Sequence, residues 1–302
     1  MNKSHLLKIE SLTHLHSVFG VSKPVHPLVS LVKLEDINIV PGTLPDFLVL
    51  NFYKVAYKME LNGTMKYGQN YYDFGEGGLV FTAPNQPFQS PDQSKKSGYV
   101  LFVHPDFFLS YPLAKTIKQF GFFSYTANEA LHVSESERST IISILTIIKE
   151  ELYSRIDDFS QSIIIAQIEL LLSYSHRFYK RQFITRKVVN NELLYKLDEI
   201  LDNCINTGKT LEQGLPTVQY LAEQLNLSPN YLSDMLRSLT GKNAQQHIHQ
   251  KLIDKAKELL STTNLTVSEV AYQLGFEHPQ SFSKLFKTKA KLSPLQFRQS
   301  FN

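Results

Sequence analysis

The sequence predicts an α+β chain of two domains. The N-terminal one is an antiparallel β-barrel carrying a helical hairpin, and the C-terminal one is all-α with two helix-turn-helix units. Three observations predict this. Residues 28–104 hold short runs rich in Val, Leu, Phe and Tyr, separated by Gly, Pro and Asn, the pattern of strands and turns. Residues 134–181 hold two apolar stripes at helical spacing. Residues 216–298 contain a degenerate internal repeat. A chain of 302 residues has room for two domains, and 42% hydrophobic with 20% charged residues is ordinary for a soluble globular protein.

Residues 1–27 are weakly patterned and read as a lead-in with one short helix. The first ten, Met1 to Glu10, are broken by charges and read as no signal peptide. Strands are expected at Leu28–Leu34, Phe47–Met59, Gly78–Ala83 and Gly98–His104. Turns are expected at Pro41-Gly42, Asn62-Gly63, Gly75-Glu76-Gly77-Gly78, Pro84-Asn85 and Pro91-Asp92. Asn62-Gly63, between Tyr57–Leu61 and Thr64–Tyr67, is the strongest hairpin signal. Short helical pieces follow at Pro105–Ser110 and Pro112–Phe120. Ser134 and Glu137 then form a capping box, opening a helix with Ile141, Ile144, Leu145, Ile148 and Leu152 on one face. A second helix carries Ile164, Ile165, Ile168, Leu171 and Leu172. Arg155–Ser160 joins the two as an antiparallel hairpin over 134–181. Residues 180–190 are basic and aperiodic. The boundaries are therefore set at 1–183 and 191–302 with 184–190 as a linker, and Asn190 or Asn191 caps the next helix, which carries Leu193, Leu194, Leu197, Ile200 and Leu201.

The repeat occupies the remainder. Thr217-Val218-Gln219-Tyr220-Leu221-Ala222-Glu223-Gln224-Leu225-Asn226-Leu227 matches Thr266-Val267-Ser268-Glu269-Val270-Ala271-Tyr272-Gln273-Leu274-Gly275-Phe276 at Thr, Val, Ala, Gln and Leu. After one inserted residue, Pro229, Leu232, Ser233 and Leu236 face Pro279, Phe282, Ser283 and Phe286. Thr266 and Glu269 form a capping box. Gly275, and Asn226 in the first copy, suit the left-handed residue that ends a helix. A second amphipathic helix starts after each turn, so each copy is helix, tight turn, helix, the unit whose second helix enters a DNA major groove. A long helix from about Asn243 to Leu260, with Ile248, Leu252, Ala256, Leu259 and Leu260 inward, joins the copies. For both reading helices to meet one face of a duplex they should lie about 34 Å apart, one helical turn.

This stretch resembles the AraC-type (AraC/XylS) transcription regulators. The resemblance rests on Leu221-Ala222, Ser228-Pro229-x-Tyr231-Leu232, Lys251-Leu252-Ile253-x-x-Ala256-x-x-Leu259-Leu260, Val270-Ala271-x-x-x-Gly275-Phe276, Ser281-Phe282-Ser283-x-x-Phe286-Lys287 and Ser293-Pro294-x-x-Phe297-Arg298. Lys291 departs from it, since many relatives have Gly there. Gly78-Leu79-Val80-Phe81-Thr82-Ala83-Pro84-Asn85-Gln86-Pro87-Phe88 is similar, more loosely, to a cupin strand-turn, which implies a cupin-like barrel as sensor domain. The resemblance implies double-stranded DNA as partner. It further implies homodimerisation through the helical hairpin and a small-molecule effector on the barrel. RNA polymerase is a further partner open to a protein of this class.

Outward positions name the DNA-binding residues. In copy one they are Asn230, Ser233, Asp234 and Arg237, spaced i, i+3, i+4, i+7. In copy two they are Gln280, Ser281, Lys284 and Lys287, with Pro279 in the first turn and Ser283 bordering the face. Asn and Gln hold adenine, Arg and Lys hold guanine or phosphate, and Asp accepts from cytosine. His278 is read as a cap. The helix starts near Thr217, Thr266 and Ser293-Pro294 are candidate phosphate sites, with Lys242 and Arg298 adding charge. From His278 onward there is no acid but five basic residues, Lys284, Lys287, Lys289, Lys291 and Arg298, the footprint of a phosphate-binding surface.

No catalytic residue, cofactor or metal is expected. Metal-binding cupins place His where Phe88 and Gln89 stand, and only His14-x-His16 has same-face strand spacing. Cys204 is the single cysteine, so no internal disulfide forms, which fits a reducing compartment. No run approaches the roughly 18 apolar residues of a membrane helix, and the cytoplasm is the expected location. A metal-dependent cupin-type enzyme and a ligand-independent DNA-binding protein are the alternatives. Tyr53, Tyr57, Phe81 and Phe88 line either an effector pocket or a core.

Overall fold

Alternating side chains along the N-terminal strands bury both faces of one sheet. The structure is a computed structural model describing residues 6–40, 43–59, 65–67, 70–72, 77–89, 97–126, 129–155, 157–185, 187–206, 210–211 and 214–301. It divides into two compact units, 1–182 and 183–302.

The first unit contains ten strands among its described residues. They are β1 (Leu6–Ile9), β2 (Val29–Lys33), β3 (Phe47–Leu50), β4 (Tyr53–Lys58), β5 (Met65–Tyr67), β6 (Asn70–Tyr72), β7 (Gly78–Thr82), β8 (Pro87–Gln89), β9 (Gly98–Val103) and β10 (Leu131–His132). The helices are α1 (Leu12–Val18), α2 (Leu113–Thr116), α3 (Glu135–Tyr153) and α4 (Ser160–Thr185). The strands form three sheets, β10-β7-β4-β9-β2, β1-β3-β8 and β5-β6, and no closed barrel is present among the described residues. Instead the two larger sheets share a core. Ile9 of β1, Leu48 and Leu50 of β3, and Leu12 and Leu15 of α1 pack with Val32, Ala56, Val100 and Phe102 of the five-stranded sheet. Its opposite face, Tyr53, Val55, Tyr57, Phe81 and Leu101, is buried as well. There Tyr53 and Phe81 meet Phe123 with ring centroids 4.9 and 5.5 Å apart, and Phe81 meets Phe122 at 4.4 Å. Tyr53, Tyr57 and Phe81 are therefore core, while Phe88 is half-buried with the Lys54 ammonium 3.6 Å from its ring centre.

Several expectations shift. The run 47–59 is two strands, because Asn51 and Phe52 break it. Asn51 N–H donates to Ile9 O at 3.1 Å, and Phe52 turns fully into the core. β1 pairs parallel with β3, a non-local pairing within the supposed lead-in. Asn62-Gly63, Pro41-Gly42, Gly75-Glu76 and Pro91-Asp92 lie outside the described residues. The strands assigned to the Asn62-Gly63 hairpin pair elsewhere, β4 with β7 and β9, and β5 with β6. At Pro84-Asn85 the turn is present, with Asn85 at φ 62°.

Ser134 and Glu137 close the expected capping box on α3. Glu137 does more than cap: Arg181 of α4 donates its Nε to Glu137 Oε1 at 3.0 Å and its Nη2 to His132 O at 2.7 Å. This fork ties the C-terminal part of α4 to the start of α3, which makes the pair antiparallel. Such a bidentate, partly sheltered pair is stronger than an exposed one.

The second unit contains α5 (Lys187–Asn206), α6 (Val218–Gln224), α7 (Pro229–Thr240), α8 (Ala244–Thr262), α9 (Val267–Gln273), α10 (Pro279–Ala290) and α11 (Pro294–Gln299). Residues 184–190, expected as a linker, are helical on both sides of 186, since α4 runs through Thr185 and α5 starts at Lys187. Asn190 caps nothing. It is buried inside α5 and donates its amide to Phe183 O, while the Phe183 ring meets Tyr231 edge-on at 5.1 Å.

α8 is the strut of this unit. Ile248, Leu252, Ile253, Ala256, Leu259 and Leu260 are buried along it, and α5, α7, α9, α10 and α11 all pack against it. Asn243 caps it in a box with Gln246 that the sequence reading missed. Cys204 is buried in α5.

Candidate nucleic-acid interface

The two copies of the repeat are the same device in backbone. α6 and α9 each start on a capping Thr, whose hydroxyl accepts from Tyr220 N–H and Glu269 N–H respectively. Each ends in a left-handed residue, Asn226 at φ 55° and Gly275 at φ 86°. Each closes with the same reach-back bond, Leu227 N–H to Ala222 O at 2.9 Å and Phe276 N–H to Ala271 O at 3.0 Å. Gly275 is also sterically required, because a Cβ there would lie 2.8 Å from Thr210 O. The second helices, α7 and α10, are each twelve residues long with Pro in the first turn. Each stops at a left-handed cap, Gly241 at φ 76° and Lys291 at φ 65°. Lys291 thus keeps the geometry that Gly provides, at the modest cost of a Cβ in that region.

Their apolar faces hold the outward faces in place. Tyr231, Leu232, Met235 and Leu236 are buried on α7, and Phe282 and Phe286 on α10. Phe282 meets Phe276 at 5.4 Å, Phe286 meets Phe282 at 5.7 Å, and Phe297 of α11 meets Phe286 at 5.5 Å. This leaves Gln280, Ser281, Lys284 and Lys287 exposed on α10, with Pro279 and Ser283 half-buried at the border. On α7, Asn230 and Arg237 are exposed, and Ser233 and Asp234 are half-buried. All ten residues expected to contact DNA therefore lie on or beside the outward faces of α7 and α10.

The chemistry of the two faces differs. Asp234 Oδ1 accepts from Arg237 Nη1 at 2.7 Å, an i, i+3 ion pair. The equivalent positions of α10 are Lys284 and Lys287, and neither is in an ion pair among the described residues. Face one is internally neutralised; face two is cationic. The spacing of Asp234 and Arg237 permits this pair, which the outward-face expectation did not include.

The structure bears on four other expectations. His278 stands at the N-cap of α10 but makes no side-chain capping bond. Arg298 is committed to the fold, its guanidinium donating to Leu260 O at 3.2 Å and to Leu265 O. At the starts of α9 and α11 the N-cap N–H groups are taken by side chains of the same helix, Glu269 Oε2 taking Thr266 N–H at 2.6 Å and Gln296 Oε1 taking Ser293 N–H at 2.9 Å. A carboxylate already at the start of α9 disfavours a phosphate there. Finally, His14 and His16 lie on α1, not on a strand. Two residues apart on a helix they do not share a face: His14 is exposed, while His16 is buried, its Nε2 2.8 Å from Ser30 Oγ. Among the described residues no three His, Cys, Asp or Glu side chains cluster as metal ligands, and no helix is long and apolar enough to cross a membrane.

Residues 221–300 match a family model described as a helix-turn-helix domain. The chain is 32% identical over 83 residues to the uncharacterised HTH-type transcriptional regulator YisR of Bacillus subtilis, covering 28% of this chain and 29% of that protein. It is 34% identical over 79 residues to the HTH-type transcriptional activator RhaS of Escherichia coli O139:H28, covering 26% and 28%. Among solved structures, the C-terminal domain of the two-component response regulator yesN from Fusobacterium nucleatum is 39% identical. It covers 33% of this chain and 96% of that one, with a TM-score of 0.30. The chain spans less than a third of the length of the two regulators it matches.

Proposed function

We propose that this chain, whose residues 221–300 form a helix-turn-helix domain of the AraC type, is a sequence-specific DNA-binding transcription regulator of the cytoplasm. Asn230, Ser233, Asp234 and Arg237 of α7, and Pro279, Gln280, Ser281, Ser283, Lys284 and Lys287 of α10, contact a double-stranded operator. The observation that carries this reading is the repeated unit with its apolar face seated on α8 and its polar face outward. Gln280 suits adenine, while Lys284 and Lys287 suit phosphate or guanine. The N-terminal unit holds a small effector. No catalytic step, cofactor or metal is assigned.

Homodimerisation through the helical hairpin belongs to the same reading. Phe159, Ile163 and Leu170 of the α4 segment are 69%, 39% and 42% exposed. Ile163 and Leu170 recur at i, i+7 within α4, which places them on one helical stripe, and Phe159 stands just before that helix. Sedimentation of the full chain should report a dimer, and Ile163→Glu with Leu170→Glu should give a monomer. The test of the whole reading is selection of genomic fragments by the purified full chain. A shared sequence should emerge whose retention is lost in Gln280→Ala and Lys284→Ala. Retention of random fragments, or unchanged retention in both variants, would refute it.

A further inference from the structure

We propose that a cleft in the N-terminal unit, beside the free edge of β2, is a binding site for a small organic anion with a short apolar body. The cleft has a volume of about 310 Å³, at the small end of ligand pockets, which run from about 300 to 1,000 Å³. It lies outside the aromatic core that occupies the far face of the five-stranded sheet, so it is not the pocket that a barrel interior would offer.

Its floor is β2, the last strand of the sheet. His104 N–H donates to Leu28 O at 2.7 Å, and β2 pairs antiparallel with β9 in that register. Leu28, Ser30 and Val32 therefore direct their peptide groups toward β9, and Leu31 directs its own outward. Leu31 lines the cleft, so its N–H is a backbone donor that no strand takes up. One rim is the loop after α1. It is pinned by His16, whose Nδ1 meets Ser22 O while its Nε2 meets Ser30 Oγ at 2.8 Å. Gly20 fixes the start of that loop: at φ 63° it packs so close to Asn38 that a Cβ would stand 2.2 Å from Asn38 O.

Its charge is one-sided. Lys23, Lys33 and Lys149 line it, against a single carboxylate, Asp36. None of the three ammoniums ion-pairs with a carboxylate among the described residues. The nearby Glu35 takes the Ser97 hydroxyl at 2.6 Å and Gly98 N–H at 3.3 Å, and it also interacts electrostatically with Lys33. Three lysines against one carboxylate give the lining a net positive charge, which favours anions. The remaining wall is apolar, with Leu152 and Tyr153 at the end of α3 and Tyr99 of β9. An anionic head on the lysines and the Leu31 N–H, with a few carbons against Leu152 and Tyr153, satisfies both halves.

The site stands apart from the regulatory reading; only its use as an effector site rests on that reading. The test is calorimetric titration of the full chain, without DNA and at constant ionic strength, with hexanoate, hexyl phosphate, hexan-1-ol and inorganic phosphate as probes. Hexanoate or hexyl phosphate should bind saturably, and the better of the two names the head group. Lys33→Gln with Lys149→Gln should weaken that binding by about tenfold or more, while Lys118→Gln, outside the cleft, should not. Unchanged thermal unfolding shows the variants are folded. Absence of saturable binding by either anion, equal binding of hexan-1-ol, or full binding by the double variant would overturn the site. Inorganic phosphate binding as tightly as hexyl phosphate would overturn its apolar half. Operator affinity measured with and without the bound probe then tests regulation separately.

Discussion

Asp234→Asn should strengthen binding to DNA of arbitrary sequence and reduce discrimination in favour of the operator. The substitution keeps the shape of the side chain, removes its charge and frees Arg237, now held at 2.7 Å. Fold stability should barely change, because an exposed i, i+3 pair contributes about 0.2–0.5 kcal/mol and the Arg237 side chain is 56% exposed, which screens it further. The effect on DNA is larger. A carboxylate about 7 Å from a phosphate in water is repelled by about 0.6 kcal/mol. Relief from two flanking phosphates is worth about 1 kcal/mol, roughly a fivefold gain on any duplex. If the freed Arg237 meets a phosphate, the slope of log K against log salt steepens by about 0.9. On the operator the gain is offset where Asp234 accepts from a cytosine, since a lost base contact costs about 1–3 kcal/mol. Fluorescence anisotropy on operator and scrambled duplexes, between about 50 and 200 mM salt, measures both quantities. An unchanged affinity and salt slope on scrambled DNA would refute the argument, for it would mean that Asp234 and Arg237 do not face the phosphates.

Other substitutions separate the roles of neighbouring residues. Lys284→Ala should weaken binding to all sequences and reduce the salt slope by about 0.9, read by the same titrations. Gln280→Ala should relax preference at one base pair by about 1–3 kcal/mol, with little change in the slope. Gly275→Ala should cost about 1–3 kcal/mol of stability, read by denaturant unfolding, because it meets both a φ of 86° and the Thr210 carbonyl. Hydrogen bonds from the Thr266 N–H and hydroxyl hold the Glu269 carboxyl below its ordinary 4.5. Its folded-state value is depressed, so its contribution is present above the ordinary value and lost as pH falls through the folded one. The difference in melting temperature between the native chain and Glu269→Ala should therefore close as pH drops below 4.5.

The C-terminal unit was legible because its signals are local. Thr266, Glu269, Asn226, Gly275 and Pro279 each report a cap, a left-handed residue or a first turn within a few residues of sequence, and among the named caps only His278 and Asn190 behave otherwise. The N-terminal unit was less legible because its decisive contacts are not local. Nothing near Leu6–Ile9 announces a parallel partner some forty residues away, and nothing in 47–59 says that Phe52 will leave the strand for the core. The helix on both sides of 186 was hard to read for a third reason. Thr185, Val188 and Val189 are weak helix formers, yet Asn190 bonds back to Phe183 and Phe183 packs on Tyr231. Tertiary anchoring overrode propensity. His14 and His16 show the same limit, since a spacing of two implies a shared face only if the segment is a strand.

Equal backbones with unequal charges have a consequence for how the proposed domain would sit on DNA. The caps at Gly241 and Lys291 and the reach-back bonds of Leu227 and Phe276 make α7 and α10 interchangeable in shape, so shape alone gives no polarity along the duplex. Charge does. α10 brings two lysines that form no ion pair among the described residues where α7 brings an acid bonded to an arginine, and phosphate attraction dominates affinity while base contacts set sequence. α10 would therefore supply most of the grip. α7, carried at a fixed offset by the rigid α8, would be presented to whatever bases lie one turn away, and its neutral pair would exchange partners only where the sequence rewards it. Charge removed from α10 should then lower affinity for every duplex in the same proportion, whereas a change on α7 should redistribute affinity among duplexes. Comparing Lys284→Ala with Asp234→Asn on a panel of single-base operator variants decides this. Parallel losses in both would show that the two helices share one role, and that the Asp234–Arg237 pair is no more than a surface ion pair.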